Sequence, residues 1–171
     1  MMPTKQVEHA RTTGAQPSEP EPTAQMDLHA HLPYRLAHLS NLIRRATTDR
    51  YVRGMKISAR EWRVLGMLGL KGSLTPTQLA ELTAMDRATI TRAGDRLEKL
   101  GYCRRIPNEQ DNRSLLMTLS AEGERQCAAI IPKMARSGER CRSVFSAGEQ
   151  ALLFELLDRL QSALNDGLLS D

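Results

Sequence analysis

At 171 residues, 40% hydrophobic and 4% aromatic, the chain is long enough to bury a core and suits a helix-rich globular protein. Its formal net charge of +4 is mildly basic, which helps attract a polyanion without identifying one. No apolar run reaches bilayer length and the start lacks a signal-peptide core, so a cytoplasmic protein with no membrane partner is expected.

Residues 1–26 read as a disordered tail. They hold Pro3, Pro17, Pro20 and Pro22, few large apolar side chains and a net negative charge, too little apolar surface to offset the entropy of ordering. A first long helix is expected from Asp27 to about Arg53, with Pro33 at a break or in the first turn. Leu32, Leu36, Leu39, Ile43 and Ala46 recur at heptad-like spacing, a face for packing on another helix, across a dimer for preference. His31, Arg35 and His38 share one side of that helix with Tyr34 nearby, a stripe suited to a carboxylate or phenolate. The alternatives for the stripe are a solvated surface or pairing between subunits. His29, His31 and His38 lack a downstream ligand, so no metal site is expected.

The next helix runs from Ser58 to about Leu70, where Ser58 and Glu61 have capping-box spacing. Trp62, the single tryptophan, is expected to pack against the first helix, with stacking on an aromatic ligand as the other reading.

Thr75 to Leu119 is the stretch the chain is organised around. Thr75 caps a short helix, Pro76 suits its first position and Gln78 completes a capping box. A turn falls at Thr83–Met85. Asp86 then caps a second helix that runs to about Leu100 and stops at Gly101. In that helix Ile90, Ala93, Leu97 and Leu100 face the core. Arg87, Thr89, Thr91, Arg92, Asp95 and Arg96 lie elsewhere. Guanidinium groups and short hydroxyls near a helix N-terminus are what a major groove is read with, although an ordinary solvated face has the same composition. Tyr102–Ile106 and Leu115–Leu119 read as a hairpin with a polar tip. Arg113 near that tip suits a minor groove, and Asp111 is placed to hold its side chain extended.

After the hairpin, Ser120 caps a helix from Ala121 to about Arg142, which Pro132 is expected to kink or interrupt. Ser146 and Glu149 open a last helix carrying Leu152, Leu153, Leu156, Leu157, Leu160 and Leu164, a stripe too apolar to stand alone. The expected fold is mostly α: a winged helix-turn-helix at 57–119, with helical segments 27–56 and 120–171 forming a dimerisation platform. There is no C-x-x-C pair among Cys103, Cys127 and Cys141. There is also no G-x-S-x-G elbow, no phosphate-cradling glycine loop and no histidine beyond position 38, so neither an enzyme nor a cofactor is expected. Cys103 lies beside Arg104 and Arg105, which would lower its pKa, but a plain strand residue is the simpler reading.

Three runs resemble the MarR family of bacterial transcriptional regulators: DRATITRAGDRLEKLGYCRR from Asp86, the D-x-R of Asp111–Arg113, and the LS-x-x-G of Leu119–Gly123. The resemblance spans roughly Leu32 to Leu164. It implies a homodimer on a pseudo-palindromic DNA operator, a repressor released by a small effector such as an aromatic acid. It also implies that Arg113 is the wing-tip arginine and that Arg87 to Arg96 form the base-reading face. The DNA-contact set expected is Thr75, Thr77, Gln78, Arg87, Thr89, Thr91, Arg92, Arg96, Asp111 and Arg113. The effector set is His31, Tyr34, Arg35, His38 and Trp62. Oxidant sensing through a first-helix cysteine, found in some relatives, is not expected because that helix has none. The other classes left open are a protein–protein adaptor with the same fold and a small enzyme using the pocket.

Overall fold

The computed structural model describes residues 27–111 and 113–169. The tail at 1–26 and Asn112 lie outside the described residues. Helix α1 covers Leu32–Ala46, α2 Thr48–Tyr51, and a 3-10 turn Arg53–Met55 leads to α3, Ala59–Lys71. Then come α4 (Pro76–Thr83), α5 (Arg87–Lys99), β1 (Cys103–Pro107), β2 (Leu115–Leu119), α6 (Ala121–Arg142) and α7 (Ala147–Asn165). The chain divides into two units between Ala37 and His38, within α1.

Side-chain caps place most of these boundaries. Ser58, Thr75 and Ser146 each form a full capping box, with Glu61, Gln78 and Glu149 as reciprocal partners. Asp86 and Ser120 cap α5 and α6 by accepting from Thr89 and Gly123. Pro76 sits in the first turn of α4, and Ala84 closes that helix in the left-handed region at φ +52°. Gly101, at φ +77°, lets the chain leave α5 and start the hairpin directly.

One expectation about helix continuity is corrected and another is narrowed. The first helix is not continuous to Arg53: α1 ends at Ala46, and Thr47 leaves helical geometry at φ −123° and ψ −82° before α2 begins at Thr48. Pro33 falls in its first turn, where a missing N–H costs nothing. Of the two outcomes expected at Pro132, a kink or an interruption, interruption does not occur: α6 runs unbroken through it. Ala128, whose carbonyl would have bonded residue 132, is exposed, so water can take that bond.

The core lies in the second unit. Val64 and Leu65 of α3, Leu79 of α4, and Ile90 and Leu97 of α5 are fully buried, with Met117 of β2 alongside. Burying an aliphatic side chain of this size stabilises by about 1.5–3 kcal/mol. The hairpin is antiparallel, with Cys103 opposite Leu119 and Pro107 opposite Leu115. Leu74 pairs with β2 as an isolated bridge, exchanging both backbone bonds with Met117 (3.0 and 2.8 Å). The segment before α4 is thereby stitched to the wing. Gly94 of α5 gives Met117 its space: a Cβ there would stand 2.8 Å from the Met117 terminal methyl. Among the described residues no helix is long and apolar enough to cross a membrane, and no group of His, Cys, Asp or Glu is placed to hold a metal ion.

Candidate nucleic-acid interface

Packing decides which side of α5 is available. Ile90, Ala93, Gly94 and Leu97 are buried, so the opposite side, with Arg87, Ala88, Thr91, Arg92, Asp95, Arg96 and Lys99, is exposed. The helix N-terminus is fastened by Asp86: its Oδ1 accepts the Thr89 N–H (2.7 Å) and its Oδ2 accepts the Thr89 hydroxyl (2.7 Å). Those two bonds hold the Asp86 carboxyl below its usual pKa, the hydroxyl contributing most. Arg92 donates to the Thr89 hydroxyl oxygen (3.0 Å). Thr91 instead donates to the Arg87 carbonyl (2.9 Å).

At the start of α4, Thr75 and Gln78 are occupied by their own capping box: Thr75 Oγ1 accepts the Gln78 N–H and Gln78 Oε1 accepts the Thr75 N–H (3.2 and 2.9 Å). Gln78 keeps its amide donors on an exposed side chain, while Thr75 and Thr77 are half-buried. Thr75 and Gln78 share a cavity of about 360 Å³ with Pro107, Asn108, Glu109 and Gln110 of the wing.

The wing tip is tied across itself. Asn108 N–H donates to the Ser114 carbonyl (3.3 Å) and Asn108 Nδ2 to Ser114 Oγ (2.8 Å). Asp111 Oδ1 accepts the backbone N–H of Arg113 (3.0 Å). Asp111 thus fixes the backbone of Arg113 as an Asx turn. Arg113 is exposed at the tip.

A further link was not read from the sequence. Arg105 on β1 donates through Nη2 to Asp95 (2.5 Å) and through Nη1 to Glu98, both on α5, while its backbone N–H donates to Glu98 Oε1 (3.1 Å). The Asp95 bond raises the Arg105 pKa. The only sequence signal was the order of charges, two acids late in a helix followed by Arg104–Arg105 across a glycine. Arg60 was also missed. It lines a cavity of about 180 Å³ with Ser58, Glu61, Thr89, Arg92 and Ala93, and nothing in its sequence context marks it.

Cys103 is buried, and burial together with the Glu98 charge pushes its thiol up to about 11, outweighing Arg105. Cys127 is pushed up to about 11 by burial alone. Burial disfavours the thiolate form of both.

Of the effector candidates, His31, Tyr34 and Arg35 belong to the first unit. His31 stands at the start of α1, where its Nδ1 accepts the Tyr34 N–H (3.3 Å), as a cap does. His38 opens the second unit and is exposed. Trp62 is buried there, its indole N–H donated to Met134 Sδ (3.0 Å). It lines a cavity of about 270 Å³ with Ser40, Ile43, Arg44, Thr48, Ala59 and Arg63. Arg44 is paired with Asp49 (2.5 Å).

Residues 57–115 match the model of the MarR family. Over 132 residues the chain is 33% identical to the HTH-type transcriptional regulator PecS of Dickeya dadantii, across 75% of this chain and 79% of PecS. The PcaV transcriptional regulator from Streptomyces coelicolor, solved in complex with its natural ligand, is similar over 82% of this chain and 99% of that one, with a TM-score of 0.66 and 25% identity. A mutant MarR from E. coli complexed with operator DNA is similar over 75% of this chain and 94% of that one, with a TM-score of 0.60 and 27% identity.

Proposed function

The chain belongs to the MarR family of winged-helix transcriptional regulators, which are not enzymes, and on that premise we propose that it is a homodimeric repressor released from a pseudo-palindromic operator by a small aromatic carboxylate. The exposed side of α5, with Arg87, Thr91, Arg92 and Arg96 pointing away from a fully buried face, carries this reading. An arginine in a major groove takes guanine O6 and N7 together, which is worth about 1–3 kcal/mol of discrimination. Arg113 on the braced wing tip meets the adjacent minor groove, where negative potential attracts guanidinium. Two-fold symmetry puts the half-sites about one helical turn apart, roughly 10 bp.

The effector reading is supported by the cavity beside Trp62. Its volume of about 270 Å³ sits just below the usual range for ligand sites, roughly 300–1,000 Å³, which suits a single-ring compound. Arg63 supplies a cation for a carboxylate, Arg44 being already held by Asp49, and Ile43 with the Trp62 ring supplies apolar wall. PcaV, of similar fold, was solved with a natural ligand bound.

Binding to the DNA upstream of the protein's own gene, against scrambled duplex, at two salt concentrations and with a panel of aromatic acids, tests both parts. Arg92→Ala is expected to weaken operator binding and flatten sequence preference. Arg113→Ala is expected to lower affinity for both duplexes and to reduce the salt slope by about one. Wild-type binding by both variants would sink the docking geometry. Selective binding that no acid disturbs would remove the carboxylate while leaving the operator. Equal, weak, salt-sensitive binding to both duplexes would leave only phosphate attraction and favour an adaptor.

A further inference from the structure

Asp86, Thr89 and Arg92 are spaced three apart, so they stack along one side of the first turns of α5. Their bonds run in one direction. Asp86 Oδ2 accepts the Thr89 hydroxyl proton at 2.7 Å, and the same hydroxyl oxygen accepts Arg92 Nη2 at 3.0 Å. A hydroxyl has one proton. Because that proton is committed to a carboxylate, the oxygen offers Arg92 lone pairs only, the one polarity a guanidinium can use. Threonines elsewhere in these helices behave otherwise: Thr83 and Thr91 turn their hydroxyls back to the carbonyls of Leu79 and Arg87 (2.6 and 2.9 Å). Thr89 is half-buried and its hydroxyl joins two neighbours of opposite charge.

The cavity of about 180 Å³ beside this chain gives it something to prevent. Arg92 lines it together with Glu61 and Arg60. An untethered guanidinium has a carboxylate competitor there.

We infer that Asp86 and Thr89 are positioning residues for Arg92: they aim its guanidinium before DNA arrives, so that sequence discrimination depends on them. The ordering cost of a long, rotamer-rich side chain is then met in the free protein rather than on binding. Thr89 acts through Arg92 and is not itself a base reader. The inference rests on the reading that Arg92 contacts bases, and the test separates the two.

Affinities of the full chain for operator and scrambled duplex are measured for wild type, Thr89→Val, Thr89→Ser, Asp86→Asn, Arg92→Ala and the double variant Thr89→Val with Arg92→Ala. Thr89→Val is expected to lower the operator-over-scrambled ratio by about threefold to tenfold. Thr89→Ser keeps the hydroxyl and is expected to restore the ratio. Asp86→Asn keeps a good helix cap but has one acceptor oxygen where two are needed, so the ratio falls with little change in Tm. In the Arg92→Ala background, Thr89→Val is expected to do nothing more. An unchanged ratio for Thr89→Val beside a lowered one for Arg92→Ala would overturn the positioning role and spare base reading. A further fall in the Arg92→Ala background would make Thr89 a direct contact and also overturn it. An unchanged ratio for Arg92→Ala would remove the premise.

Discussion

Ser120 and Gly123 tie the helix after the wing to the base of β1 with bonds that leave no room for a methyl group. Ser120 N–H donates to the Tyr102 carbonyl (3.1 Å), its hydroxyl donates to the Gly101 carbonyl (2.5 Å), and its oxygen accepts the Gly123 N–H (3.1 Å). A Cβ on Gly123 would overlap the Tyr102 carbonyl oxygen, which is backbone and cannot rotate away. On an exposed helix, glycine to alanine gains about 0.5–1 kcal/mol, because glycine gives up more backbone entropy on folding. Here the overlap wins. Gly123→Ala is expected to destabilise by about 1–3 kcal/mol, read as a lower urea midpoint with an unchanged slope. A midpoint that rose would show that α6 can shift and that the junction is looser than these bonds make it. The family-like LS-x-x-G run therefore has a local physical cause: a cap, a double tie and a close backbone approach within five residues.

Among the elements, α5 and the wing act on DNA together only if they keep a fixed angle, and Arg105 is a charged side chain that spans them, beside the Cys103 thiol on the Gly94 carbonyl (3.8 Å). Its two carboxylate partners, Asp95 and Glu98, are 61% and 39% exposed, so the pairs add under about 1 kcal/mol to stability. Arg105→Ala is expected to move Tm little while lowering operator affinity about tenfold, some 1.4 kcal/mol, because the wing loses its register on the recognition helix. Equal losses of stability and affinity, or neither, would make the brace ordinary surface pairing. This link also marks where the sequence stops being readable. Caps at Ser58, Thr75, Asp86, Ser120 and Ser146 were legible because a side chain and the N–H it accepts lie three residues apart. The exposed face of α5 was legible from the 3.6-residue period. Arg105 with Asp95 and Glu98 was not, since it exists only once the hairpin folds back on the helix. The end of α1 was missed for a different reason: no glycine or proline stands at the break, and α2 has no side-chain cap to announce it. Likewise, Asp111 was rightly placed beside Arg113, but sequence spacing cannot say whether a carboxylate meets a backbone N–H or a guanidinium.

At the scale of the whole molecule, the apolar residues divide between a sealed core and a large uncovered surface. None of the residues of α7 is buried, and Leu152, Leu153, Phe154, Leu156, Leu157 and Leu164 are all exposed. Leu32, Leu36, Leu39, Leu42 and Ile43 on α1 are exposed as well. Exposed apolar residues at this density along α7 mark an association surface, and a second copy packed on that helix would bury them while presenting two copies of α5. The pairing makes a quantitative demand. Each half-site contact alone is weak, and linking two of them through a rigid platform raises affinity by about 10²–10⁴ without any new contact to DNA. Leu153→Glu combined with Leu157→Glu, at adjacent turns of α7, is expected to give a monomer by sedimentation. Operator affinity should fall by that factor. Trp62, held against Met134 in the core of the second unit, should report an intact fold by its fluorescence. Adding about 5 bp between the half-sites, half a turn of duplex, should cost the wild type nearly as much as the mutations, since one wing would then face the wrong side. A monomeric variant that still bound the operator at wild-type strength would sink the paired arrangement, whatever α7 does instead. Binding indifferent to the inserted 5 bp would leave the dimer standing but place its second reading head off the DNA.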